Sequence, residues 1–538
     1  MDIGKKRYGL TLLYRLFILG SMLAIIAAGS PAQDVGQYTG EIRIFAGNYA
    51  PSGWYLCNGQ SLDISSNGEL YTLLGTTFGG NGTTTFNVPD LQGRVPVGQG
   101  SNGTTTYTLG EEGGVETVTL TVNQIPIHSH SLAASSLPGV LIDPANAVLA
   151  RYPDGVGVYS TSPDAQGAAG VVSSAGSSQP HDNMQPYLAI NYIIANSGTF
   201  PNFGGDTTNA SVVGAYPGEI RLVAFSQTPN GWLDCSGING HPDLRGRILV
   251  GADGTTITLG STGGEDIHTL TTNEMPAHSH SIKYGSGGTA SASPVGNYPA
   301  RNPQGDLMYA PASNTTMNAG ALSSSGGSLA HENRKPFTAL HYIEAVNSVG
   351  SNSSPFLGEI RTINFSSIPS GWAAARGQLI SIATQSALFS LVGTYYGGNG
   401  SSNFAYPNFN DVMGIGWGQN PGGSNYNMGQ TGGESSVILT TSNLPLHSHV
   451  FAVSAEAGTS SVPTNNVLAV NPGGATFYNS SSSGGTMYSS STNIVGGGQA
   501  HNNMMTYYGI NYMIATSGIY PSRSTTSPVA HPVAGKGK

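Results

Sequence analysis

The sequence predicts a mainly β protein with short helices, organised as three tandem repeats. Three observations carry that prediction. First, Pro126-Ile127-His128-Ser129-His130 returns as Pro276-Ala277-His278-Ser279-His280 and as Pro445-Leu446-His447-Ser448-His449. Each copy lies at the same distance behind a Gly-Gly pair (Gly113-Gly114, Gly263-Gly264, Gly432-Gly433). Second, Gly-Glu-Ile-Arg opens each repeat at 40–43, 218–221 and 358–361, and the apolar residues after it read as a strand. Third, 538 residues with 77 glycines and 9% charged side chains describe a loop-rich chain. The glycines lack a Gly-X-Y period, which excludes collagen, and regular aliphatics with 26 tyrosines argue against wholesale disorder. A repeat of this length governs the fold more than local propensity does.

Residues 1–32 read as an export signal: Lys5, Lys6, Arg7 and Arg15 precede an apolar run from Leu16 to Ala28, and small residues follow. That run falls short of the ~20 apolar residues a membrane span needs, although an uncleaved anchor is the alternative. The expected location is secreted or cell-surface, with the periplasm as a further option. The net charge of −9 gathers no basic patch, so nucleic acid is not an expected partner.

The repeats are placed at 38–200, 216–350 and 356–520, with a flexible tail at 521–538. Each contains a Gly-Trp pair (Trp54, Trp232, Trp372), taken as a core anchor at a turn. Cys57 and Cys235 occupy one slot in two repeats and Ala375 fills it in the third, so small buried side chains are expected there, not a disulfide. A short helix is predicted at Leu70–Gly75 and at Ala387–Gly393, and the second repeat lacks it. Each repeat closes with His-x-Asn (His181/Asn183, His331/Asn333, His501/Asn503) and an aromatic-aliphatic strand. Between the His-Ser-His copies and these ends lie Ser/Gly-rich stretches that keep register through Pro144, Pro294 and Pro463 and through Tyr159, Tyr309 and Tyr478. Such stretches read as ordered surface loops, where recognition usually resides. The three tyrosines are either binding-surface aromatics or loop pins.

The first repeat resembles the phage tail collar domain. The residues that carry the resemblance are Gly40-Glu41-Ile42-Arg43, Gly53-Trp54 through Gly59, Leu73-Leu74-Gly75-Thr76, Gly79-Gly80-Asn81-Gly82 and Val88-Pro89-Asp90-Leu91-Gln92-Gly93-Arg94. The third repeat carries it more weakly and the second in trimmed form. Similar domains occur in tail-fibre tips and in bacterial proteins labelled microcystin-dependent. In fibre-tip relatives, a His-x-His motif from each of three chains converges on one iron or zinc ion. The matching positions here are His128, His130, His278, His280, His447 and His449. This chain departs from those relatives in carrying all three copies itself and in its export signal.

Residues i and i+2 of an extended segment point the same way, so His-Ser-His presents two imidazoles together. Six imidazoles suit one octahedral divalent transition metal, and a site filled by protein donors is structural because no position is left for substrate. Two arrangements satisfy the pattern: an intramolecular pseudo-trimer, or a homotrimer with each repeat forming its own layer. The Glu41/Arg43, Glu219/Arg221 and Glu359/Arg361 pairs read as strand salt bridges. The His-x-Asn pairs lack an associated nucleophile motif and read as loop hydrogen bonds, not as catalysis. The expected function is non-enzymatic recognition or adhesion, with a surface glycan or envelope component as the partner that the resemblance implies. A purely structural fibre or surface component is the alternative, and an envelope-polymer hydrolase comes third.

Overall fold

A computed structural model describes residues 36–203, 214–346 and 354–522, less short loop stretches (104, 143, 145–146, 153–157, 161–164, 167–170, 285–286, 296, 301–307, 311–314, 318–320, 474, 476–477, 482–486 and 488–491). The expected export signal lies outside the described residues, as do nearly all of the 521–538 tail and most of both inter-repeat linkers. Among the described residues the fold is mainly β with two short α-helices, as the sequence predicts. Among the described residues no helix is long and apolar enough to cross a membrane.

The elements that position everything else are β1 (Glu41–Phe45), β2 (Trp54–Leu56), α1 (Gly68–Leu74), β3 (Val95–Gly98), β4 (Tyr187–Ala195), β5 (Glu219–Val223), β6 (Trp232–Asp234) and β7 (Ile248–Gly251). The set continues with β8 (Phe337–Ala345), β9 (Glu359–Ile363), β10 (Trp372–Ala374), α2 (Ser386–Val392), β11 (Met413–Gly416) and β12 (Tyr507–Ala515). In every repeat the opening strand pairs antiparallel with the nine-residue closing strand: β1 with β4, β5 with β8, β9 with β12. The Trp strand flanks the closing strand on its other edge.

The three opening strands also pair with one another. Ile42 faces Leu222, Ile44 faces Ile360 and Ile220 faces Thr362, so β1, β5 and β9 form a closed triangle about an approximate three-fold axis. The pseudo-trimer is thus completed within one chain. The repeats also exchange strands in a cycle. The first half of β4 receives β11 from the third repeat in parallel, β8 receives β3 from the first, and β12 receives β7 from the second. Tyr192, Tyr342 and Tyr512 each donate a hydrogen bond to a carbonyl of the received strand (Gly414, Pro96, Leu249) at 2.9–3.3 Å.

The hydrophobic core follows this interlocking. Ile42, Ile220 and Ile360 pack with Tyr192, Tyr342, Tyr512, Ile194 and Ile514 in a single cluster drawn from all three repeats. Cys57, Cys235 and Ala375 lie in that same cluster, and both cysteines are free. Helices α1 and α2 add Leu70, Leu74, Leu388, Leu391 and Val392 to it, and each ends at a glycine with positive φ, Gly75 (54°) and Gly393 (50°). The second repeat has only a 3-10 turn at Ile238–Gly240 in place of the helix.

The Glu/Arg pairs do more than their spacing suggests. Arg43 binds Glu41 (2.6 Å) and Glu359 (3.1 Å), Arg361 binds Glu359 (2.6 Å) and Glu219 (3.1 Å), and Arg221 binds Glu219 (2.8 Å) and Glu41 (3.1 Å). Six buried charges therefore close into a ring on the axis, and each arginine joins two repeats. Each glutamate also accepts a backbone N–H three residues upstream, at Tyr38, Tyr216 and Phe356. Each guanidinium sits 5.0–5.1 Å from the ring centroid of its repeat's tryptophan.

Candidate metal centre

The His-Ser-His segments are extended, with a single bridge at the first histidine and not a continuous strand. Side chains alternate as expected: the six histidines are buried, whereas Ile127, Leu446 and the intervening serines face outward. Each segment is held by a neighbouring repeat. His128 exchanges both backbone hydrogen bonds with Ser325, His278 with Val495, and His447 with Ala175, at 2.9–3.0 Å. The three copies are thereby brought to one point on the axis.

The tautomers follow from the hydrogen bonds. Nδ1–H of His128, His278 and His447 donates to the carbonyl of the proline two residues upstream, at 2.9–3.0 Å. Nδ1–H of His130, His280 and His449 donates to Asn493, Ser173 and Ser323 of another repeat, at 2.6–2.7 Å. With all six Nδ1 protons committed, every Nε2 presents a lone pair. These nitrogens point at one another: His128 Nε2 lies 3.2 Å from His278 Nε2 and 3.3 Å from His447 Nε2. Two bare acceptors that close cannot hydrogen-bond. Nε2 of His130, His280 and His449 is buried with no partner among the described residues.

The six rings have the connectivity of an octahedron. Each meets four of the others edge-on, with centroids 4.7–5.7 Å apart and planes at 73–83°. The pairs left opposite are His128/His280, His130/His447 and His278/His449. An octahedral ion with nitrogens about 2.1 Å away sets neighbouring donors about 3.0 Å apart, close to the separations seen here. Burial, followed by the proximity of the other imidazoles, pushes His128 and His130 down to about 4 and His280 to about 3. The rings are therefore neutral at physiological pH, as metal donors must be.

Other expected residues are placed differently. Tyr159 is fully buried and its hydroxyl donates to the Ala150 carbonyl at 2.6 Å. It pins its loop and offers no surface, which corrects its reading as a ligand-binding aromatic. Tyr309 and Tyr478 lie on short strands, β-paired to Leu149 and to Ser291 and Pro299, and their side chains lie outside the described residues. Asn183, Asn333 and Asn503 each donate to two loop carbonyls and none bonds its histidine, in keeping with the loop reading of His-x-Asn. Sequence reasoning missed that His181, His331 and His501 converge in their turn, with ring centroids 5.2–5.4 Å apart. It also missed Lys335, whose ammonium donates to Asn503 Oδ1 at 3.1 Å and to the Asn333 carbonyl at 2.9 Å. The only available signal was the three-fold recurrence of His-x-Asn, which places three copies near one axis once the repeats are known to close.

Comparison with known proteins agrees with the first and third repeats. The family model for the Phage Tail Collar Domain matches residues 40–96 and 358–413. No curated protein matches the chain. Both matched segments contain the Glu-Ile-Arg strand, the tryptophan and the short helix, and the collar domain is a structural tail-fibre family, not an enzyme family. Two segments of this chain thus match the phage tail collar domain, within a three-repeat, mainly β fold whose six paired histidines meet on the axis.

Proposed function

We propose that the chain is an exported recognition or adhesion protein resembling a tail-fibre tip, stapled by one divalent first-row ion among its six imidazoles. The observation that carries the metal is the set of six inward lone pairs in octahedral connectivity, with every ring's other nitrogen held by a carbonyl. That outer support fixes tautomer and ring orientation. The donor set is wholly neutral, which favours a divalent ion, iron or zinc. Such an ion links three segments distant in sequence and leaves no open position, so its role is structural. The collar match supports a tail-fibre-like structural or adhesion role. Its ligand is a surface glycan or envelope component, bound by the loops beyond the His cluster, and the chain acts as a monomer.

A purely structural surface component is the second reading, and the inward turn of Tyr159 favours it. The two separate by binding: retention on intact cell envelope or on immobilised envelope polysaccharide supports recognition, while ordered self-assembly without either supports structure. The metal is tested by mass and elemental analysis of the mature chain purified without a His-tag. The expected result is a monomer that loses one equivalent of metal in the His278→Ala/His280→Ala double variant. Unchanged metal content in that variant would overturn the six-imidazole site.

A further inference from the structure

We infer that His181, His331 and His501 form a second metal site, a three-imidazole centre with an open fourth position, on the same axis as the six-His cluster. It stands independently of the six-imidazole ion. Each repeat contributes one ring at equivalent register: His181 faces Val118, His331 faces His268 and His501 faces Val437. The three rings are 4%, 1% and 0% exposed, and one nitrogen from each lies within 4.8 Å of the others.

The proton inventory decides what such a site can hold. Nδ1–H of His181 donates to the Asp182 carbonyl and that of His331 to the Glu332 carbonyl, both at 3.0 Å. Their Nε2 atoms, and both ring nitrogens of His501, are buried with no hydrogen-bond partner among the described residues. An anion would need N–H groups aimed inward, whereas His181 and His331 offer Nε2 lone pairs and the neutral His501 ring, with one proton and no hydrogen bond to fix it, can turn its unprotonated nitrogen to join them. Buried acceptors without a donor are destabilising, and a cation at their centre satisfies them together. A tetrahedral ion bound by imidazoles holds its donors about 3.4 Å apart, so modest ring rotations close the site. Zinc, or cobalt as its probe, fits three nitrogens plus one exchangeable ligand.

The surroundings set its strength. Val118, Leu120, Leu270, Val437 and Leu439, drawn from all three repeats, form an apolar layer beside the triad. Beyond the other face, two residues along each strand and so about 6–7 Å away, Asn183, Asn333 and Asn503 surround the Lys335 ammonium. Burial pushes that ammonium down to about 7, and while protonated it opposes a divalent ion. At the flank, His268 stacks on His501 at 5.1 Å and is itself paired with Glu265 and Glu274. Gln185 and Met505 occupy the lysine position in the other repeats, so Lys335→Met places there a residue the fold already accommodates.

The test is a cobalt(II) titration of the full, tag-free chain after chelator stripping, followed by visible absorption. Octahedral cobalt absorbs weakly and four-coordinate cobalt strongly. The expected result is two equivalents, one weak and one intense. His501→Gln should abolish the intense bands and one equivalent, while His278→Ala/His280→Ala should abolish only the weak one. Should the His501 variant fail to fold, Lys335→Met keeps all three rings and should tighten the intense-band equivalent roughly tenfold or more. A single, weakly absorbing equivalent in the unaltered chain overturns this site and leaves the six-imidazole reading intact. Intense bands that survive His501→Gln, or an affinity unmoved by Lys335→Met, overturn it as well.

Discussion

Nine buried imidazoles on one axis make the protein sensitive to acid. Burial holds all of them below the ordinary histidine value, His331 at about 4 and His501 at about 3, so the folded protein resists protons that the unfolded chain takes up near 6.5. Between those limits the unfolded state binds more protons, and stability falls as pH falls from about 6.5 toward 4. Thermal melts of the metal-free chain across that window should show a steep loss of Tm, shallower in His280→Gln. The charged ring adds a lower window. Burial alone would raise Glu359, but Arg361 and Arg43 hold it at about 2, so its contribution is lost as pH drops from its usual 4.5 toward 2. Removing one member leaves an uncompensated buried charge, and Glu219→Ala should cost about 3–5 kcal/mol in denaturant unfolding. A wild-type midpoint in that variant would show that the ring does not hold the axis together.

Strand exchange puts a particular demand on three glycines. Gly98, Gly251 and Gly416 end the exchanged strands β3, β7 and β11, and a Cβ on any of them would lie 1.7–1.8 Å from a carbonyl oxygen, of Leu244, Phe409 or Leu91. Backbone passes against backbone there, between different repeats, with no room for a methyl group. Gly251→Ala should therefore destabilise by at least about 1–3 kcal/mol, read as a shifted denaturation midpoint. Nothing in the Val-Pro-Val-Gly, Ile-Leu-Val-Gly and Met-Gly-Ile-Gly runs names the partner. Period-2 alternation explains which faces of His-Ser-His and Glu-Ile-Arg point inward. It gives no information on which distant segment lies opposite, and so the Glu/Arg pairs could be read only within one strand.

At the scale of the whole molecule, recurrence was the legible signal. Three copies of each motif at matched offsets sufficed to predict the mainly β class and the repeat starts, while the convergence of six imidazoles was what the resemblance to tail-fibre tips implied. Recurrence left the pseudo-trimer and the homotrimer both open, because closing within one chain or between chains uses the same contacts. It was silent on Lys335, which breaks the pattern. The large core clusters draw on all three repeats, and only small ones, such as Ile363, Trp372, Met513 and Ala515, lie within a single repeat. The chain should unfold in one cooperative transition, and residues 216–350 expressed alone should be unfolded by near-UV circular dichroism; a native-like spectrum from that fragment would contradict the shared core.

The lysine also shows what a tethered three-fold permits. In an assembly of identical chains, any residue on the axis appears three times, and three ammonium groups would crowd into one cage. Here a single ammonium shares its level with a glutamine and a methionine. Tethering also makes closure indifferent to dilution: the second and third arms are supplied at a local concentration fixed by the linkers, not by how much protein is present. Such a chain can be diluted to vanishing concentration without its three arms coming apart.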